Sequence, residues 1–176
     1  RRSSPPPESP EGDVLDAALR LLSARDRSVR ELKDRLLKKG FEPGRISHCI
    51  RWLEDQDLLD DEAFARSMLR HRVRFSPRGP FVLRRELEEK GIDRTLADEV
   101  VDAFFDEEDH TPYSLSSEAA VGWVRRQHSA TRKALLGDRF SQERERARKR
   151  LYGFLARRGF VGDAARLGME AGVAEA

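Results

Sequence analysis

Sulfur and ring chemistry are scarce in this chain: one cysteine, two methionines, two tryptophans and two tyrosines stand in 176 residues. The lone cysteine, Cys49, rules out an internal disulfide and argues against a Cys-based metal cluster. Its neighbours Ile46, Ile50 and Leu53 recur at helical spacing, so it reads as a small core residue. A chain free of disulfides suits a reducing, cytoplasmic setting. No apolar run approaches the roughly 18 residues needed to cross a bilayer. The opening "RRSSPPPESP" has no hydrophobic stretch of the kind a secretory signal carries. Strand-type alternation is nearly absent as well. The four histidines, His48, His71, His110 and His128, form no metal-ligand spacing. There is no glycine-rich phosphate loop, no dinucleotide fingerprint and no nucleophile elbow. The expectation is a protein that is not an enzyme and needs no cofactor.

Charge, by contrast, is plentiful. Charged residues make up 38% of the chain, against about 25% in ordinary globular domains. Such a composition favours several small cores over one large one. The formal net charge is only +2, but the charges are unevenly placed. Residues 52–62 hold six acids, Glu54, Asp55, Asp57, Asp60, Asp61 and Glu62, and no base. Residues 122–160 hold twelve Lys or Arg against three acids. A basic stripe of that density attracts polyanions; the competing explanation is a solvated helix face.

The apolar pattern is helical throughout and repeats. "LKDRLLKKGF" (32–41), "LRRELEEKGI" (83–92) and "LYGFLARRGF" (151–160) share one form. Two leucines stand one helical turn apart, a glycine ends the helix and a large apolar residue follows. Leu32, Leu83 and Leu151 correspond, as do Leu36, Leu87 and Leu155, and Gly40, Gly91 and Gly159. Three such stretches in order, each flanked by further amphipathic helices, argue for tandem repeats. Ser28 and Glu31 have the spacing of a reciprocal capping box. Asp60 or Asp61, Pro80 and Asp93 mark further helix starts.

The expected fold is all-α, three tandem three-helix repeats in an elongated, curved molecule. Residues 1–12 are expected to be a disordered Pro/Ser-rich tail. The repeats are expected at 13–58, 59–105 and 117–176, with an acidic linker at 106–116. The glycine-to-glycine spacings are 51 and 68 residues, and the excess is assigned to the linker and to a loop near Gly137. Gly168 and Gly172 weaken the last helix, which is expected to fray.

Basic side chains are the leading functional candidates: Arg70, Arg72, Arg74, Arg78, Arg84, Arg85, Arg125, Arg126, Arg144, Arg148, Lys149, Arg157 and Arg158. On stacked repeats they would form a surface that neutralises phosphates, with affinity falling steeply in salt. No set of base-reading side chains accompanies them, although each three-helix unit is loosely similar to a helix-turn-helix. Asp57, Asp60 and Asp61 suggest contact with a basic protein surface, or else simple capping and solubility.

These features together resemble the RecX regulatory proteins of bacteria. The resemblance is carried by "ALRLLSARDRSVRELKDRLLKKGF", "LLDDEAFARSMLRHR", "GPFVLRRELEEKGI" and "LYGFLARRGF", and runs from about Asp13 to the C-terminus. It implies a non-enzymatic modulator, mainly an inhibitor, of the RecA recombinase. Such a protein binds in the groove of the RecA–DNA filament and limits filament extension, ATP hydrolysis and strand exchange. The implied partners are the RecA filament and, weakly, single- and double-stranded DNA. No membrane is involved, and a monomer is expected, since no heptad seam persists. The alternative is a helical repeat protein that binds DNA without sequence preference and has no recombinase partner.

Overall fold

In a computed structural model, residues 12–107 and 110–176 are described. The expected tail therefore lies outside them, except for Gly12. Ten α-helices and no strand occur among the described residues: α1 (Gly12–Ala24), α2 (Val29–Lys38), α3 (Pro43–Asp55), α4 (Asp61–Phe75), α5 (Pro80–Glu89), α6 (Arg94–Glu107), α7 (Pro112–Arg125), α8 (Ser129–Leu136), α9 (Gln142–Arg157) and α10 (Gly162–Glu175). The fold is all-α, with successive groups of three helices. In the third group, α7, α9 and α10 are joined by an inserted α8.

The repeated leucine-glycine sentence corresponds to α2, α5 and α9. All six leucines are fully buried. Gly40, Gly91 and Gly159 stand at φ +88°, +90° and +82°, a region that strains a residue with a Cβ. Each helix end has the same two bonds. The glycine N–H donates three residues back, and the next N–H donates to the carbonyl of the second leucine: Phe41 to Leu36 at 3.4 Å, Ile92 to Leu87 at 3.1 Å and Phe160 to Leu155 at 3.1 Å. This is the Schellman arrangement, and it folds the following apolar residue back onto its helix. Ile92 and Phe160 are buried, and Phe41 is half-buried.

The chain divides into two compact units. The first contains residues 12–67 and 87–97. Its core joins Val14, Ala18, Leu32, Leu36, Ile46, Cys49, Ile50, Leu53 and Leu59, with Phe41 and Trp52 packed at the edge. Burial pushes the Cys49 thiol up from its ordinary pKa, as befits a packed residue.

At the start of α2 the fully buried Ser28 does two things. Its Oγ accepts the Glu31 N–H at 3.1 Å, and its hydroxyl donates to the Lys90 carbonyl. The reciprocal half of the expected capping box does not form. Glu31 instead takes Lys90 Nζ at 2.8 Å and Arg25 Nη1 at 2.9 Å, because two cations outbid a neutral amide for a carboxylate. Burial alone would push the Glu31 carboxyl up, but these bonds and charges hold it down at about 2.

The second unit contains residues 68–86 and 98 onward. It repeats the dock at Ser28. Gly79 occupies the position before α5 that Ser28 occupies before α2, and its N–H donates to the Arg158 carbonyl at 2.7 Å. In both cases the residue before a repeat's second helix bonds the last carbonyl ahead of the next copy's glycine. The approach at Gly79 is so close that a Cβ there would run into the Gly159 carbonyl.

The third group differs from the expected layout in its helix bounds, residues 108–109 of the expected linker lying outside the described residues. The linker expected at 106–116 is largely helical at both ends: α6 runs to Glu107, and α7 starts at Pro112 with Leu115 and Ser116 already buried. Thr111 caps α7, its Oγ1 accepting the Ser114 N–H at 3.1 Å while Ser114 Oγ accepts the Thr111 N–H at 3.0 Å. The excess residues near Gly137 form α8, anchored by the fully buried Leu135. The last helix is helical through Glu175. Gly168 and Gly172 are buried contact points: a Cβ on Gly168 would meet Ser116, and one on Gly172 would meet Leu151 Cδ2 at 2.8 Å and Ala120 Cβ at 3.3 Å. The small residues Ser116 and Ala120 of α7 face this approach, so the intrinsic cost of glycine is offset by close helix packing.

Candidate nucleic-acid interface

The basic candidates fall into three classes. Several are held by acids. Arg72 and Arg78 share Glu86, at 2.7 and 3.4 Å. Arg84 pairs with Asp98 at 3.0 Å and with Asp102. Arg125 pairs with Glu175 at 2.8 Å, and Lys149 with Glu145 at 3.3 Å. Arg85 is exposed and engaged within the fold. The pairs open to solvent add little stability and yield readily to a competing phosphate.

A second class lines surface cavities. Arg70 and Arg74 of α4 border a cavity of about 360 Å³ with Val73, Phe104, His110 and Glu118. Arg74 also stands over the Phe75 ring, 5.1 Å from its centre. Arg144 and Arg148, one turn apart on α9, border a cavity of about 480 Å³ with Arg139 and Glu145.

The third class gathers around the Schellman turn that ends α9. Arg158 is half-buried, its guanidinium 4.0 Å from the centre of the Phe154 ring. Its pKa is pushed down by burial first, and then by the charges of Arg78, Arg126 and Arg157. A half-buried cation within reach of three others marks a place where an anion would be welcome. The dock explains how they meet. Gly79 fastens the segment carrying Arg78 onto the backbone of Arg158, and Arg126, the C-cap of α7, is near enough for its charge to reach Arg158. The Arg158 Nε is buried without a hydrogen-bond partner among the described residues.

The acids behave differently. Asp61 is half-buried and accepts the Val29 N–H at 2.8 Å, so it serves the start of α2 from α4. Burial pushes its carboxyl up, against the pull of that bond, and the charge of Asp60 adds to the rise. Asp60 caps α4, accepting the Glu62 N–H at 2.7 Å and the Ala63 N–H at 3.0 Å. Asp57 is exposed in a turn at φ +55°. Two of the three acids thus have internal work.

Sequence reasoning missed Trp123, Gln127, Arg139 and Gly153, which border the α9 cavities. An aromatic residue two positions before Arg125-Arg126 was the available signal for Trp123. Among the described residues no His/Cys/Asp/Glu group could hold a metal ion, and no helix is long and apolar enough to cross a membrane.

Comparison with known proteins agrees with this architecture. The family model of the first three-helix domain of RecX matches residues 15–53, and that of the second matches residues 60–101. The regulatory protein RecX of Halorhodospira halophila is 33% identical over 153 residues, covering 87% of this chain and 84% of the relative. That of Chlorobium phaeobacteroides is 32% identical over 149 residues, covering 84% and 85%. A crystal structure of RecX from Lactobacillus salivarius has the same fold, with a TM-score of 0.70 at 24% identity over 91% of this chain and 94% of that one. These relatives are named as regulatory proteins, not as enzymes. On this similarity, the chain belongs to the RecX family of regulatory proteins.

Proposed function

We propose that this protein modulates, mainly by inhibition, a RecA recombinase in the cytoplasm, acting as a monomer. It binds in the groove of the RecA–DNA filament and limits filament extension, ATP hydrolysis and strand exchange. The observation that carries the reading is the bond from Gly79 to the Arg158 backbone, which brings the Arg78 segment onto the Arg157-Arg158 turn, in a member of the RecX family. These cations face phosphates or acidic filament surfaces. Arg144, Arg148 and Lys149 extend the basic surface along α9. Asp57 and Asp60 face a basic protein surface, and several weak contacts acting together give the affinity.

The test is titration of the protein into RecA on single-stranded DNA while ATP hydrolysis is followed. Progressive loss of hydrolysis is expected, weakened by salt. The double reversal Arg126→Glu with Arg157→Glu uses two exposed side chains and leaves the half-buried Arg158 in place. It should weaken inhibition at least tenfold at low salt, and unchanged inhibition would remove the arginine cluster from the interface. Binding to DNA with no effect on RecA hydrolysis would favour the alternative, a nonspecific DNA-binding repeat protein.

A further inference from the structure

Beside the arginine cluster, and sharing Arg157 with it, α7 and α9 border a cavity of about 480 Å³ lined by Trp123, Gln127, Lys149, Arg150, Gly153 and Arg157. Its size lies within the range of pockets that hold small ligands. Its chemistry is an indole beside three cations, with Glu145 the acid paired to one of them at 3.3 Å. The indole has an aromatic neighbour. Its ring lies 6.0 Å from that of Phe154, and the Gln127 side chain is tied to the Trp123 backbone carbonyl at 3.1 Å, at the border of the same cavity.

Gly153 is the unexpected member. In the other two copies of the repeated sentence its position is taken by Asp34 and Arg85. A glycine inside a helix is destabilising, so it calls for a reason. Gly168 and Gly172 have one in the packed side chains that a Cβ would strike. Gly153 does not: the only atom a Cβ would meet is the mobile end of Arg157, Nη1 at 3.3 Å. What the missing side chain does is leave its stretch of the cavity lining bare.

We infer that this cavity receives one unstacked base of a single-stranded nucleic acid, with Trp123 as the stacking platform and Lys149, Arg150 and Arg157 on the flanking phosphates. Stacking on an aromatic platform is tolerant of sequence, because every base has a π-face, and the cations supply the salt-sensitive part of the affinity. A paired duplex keeps its bases stacked within and offers no base to the indole. This rests on the reading that the chain acts on DNA, and it assigns single-strand preference to α7 and α9.

The test uses the full chain with Trp52→Phe, which leaves Trp123 as the sole indole. Titration with a short oligothymidylate at low salt should quench Trp123 emission, and the duplex of the same length should not. Without that background, Trp123→Ala should weaken oligothymidylate binding about tenfold or more, with Trp123→Phe retaining most of it. Gly153→Leu, which fills the cavity and favours the helix, should weaken binding to a similar degree without lowering the melting temperature. Absence of quenching, equal quenching by duplex, or unchanged affinity in both Trp123→Ala and Gly153→Leu would overturn the inference. If those two variants bind as wild type while wild type still suppresses RecA hydrolysis, the pocket falls and the proposed function stands. If they lose binding while wild type leaves RecA unaffected, the pocket stands and the proposed function falls.

Discussion

The Gly79 N–H donates to the Arg158 carbonyl at 2.7 Å, and no side chain fits between the two backbones. Gly79→Ala should therefore push the α4–α5 segment off the α9 turn. Overpacking of this kind costs about 1–3 kcal/mol. Urea unfolding should show the loss, and binding that depends on Arg78 meeting Arg157 and Arg158 should fall with it. A variant as stable as wild type would mean that the backbones separate freely.

Ser28→Ala probes the corresponding dock in the first unit. It removes both an N-cap acceptor and the bond to the Lys90 carbonyl. Capping alone is worth about 1 kcal/mol, and the buried Lys90 carbonyl left without its donor adds about 1 kcal/mol more. Ser28→Thr, which keeps the hydroxyl, should recover part of this by the same unfolding measurement.

Glu31 predicts a pH dependence. Its carboxyl is held at about 2, below its unfolded value, so its contribution is present above pH ~4.5 and is lost as the pH falls toward 2. Because Arg25 and Lys90 are substantially exposed, that contribution is about 1 kcal/mol after solvent screening. Glu31→Gln should be less stable than wild type at neutral pH, with the difference shrinking between pH 4.5 and 2. A difference that stays constant across that range would show that the ion pairs contribute nothing.

Asp61 separates capping from contact. Asp61→Asn keeps an oxygen for the Val29 N–H and removes a charge that burial disfavours, so stability should change by less than about 0.5 kcal/mol. Asp61→Ala should cost about 1 kcal/mol. Equal losses in the two variants, measured by thermal unfolding at neutral pH, would show that the charge matters more than the bond.

The leucine-glycine sentences were legible because a Schellman turn is a local device: its two bonds and its apolar contact all lie within six residues. The basic character of α9 was legible for the same reason. What was hidden depends on distant partners. Glu31 could be read as half of a capping box, but its true partner Lys90 lies 59 residues away. Gly168 and Gly172 look like weak points in a helix until Ser116, Ala120 and Leu151 are set against them. Helix α8 has eight residues and one fully buried side chain, too few for a periodic signal. The meeting of Arg78 with Arg158 required knowing that Gly79 follows the path of Ser28.

The two docks also give the series a direction. Each turn reaches back to the start of the equivalent helix one copy earlier. At α9 the position matching Ser28 and Gly79 is Ala147, buried in mid-helix, because α9 begins earlier, at Gln142. One position of the motif thus has two uses along this chain: before α2 and α5 it is the floor of a dock, and in α9 it is one more buried residue of a lengthened helix.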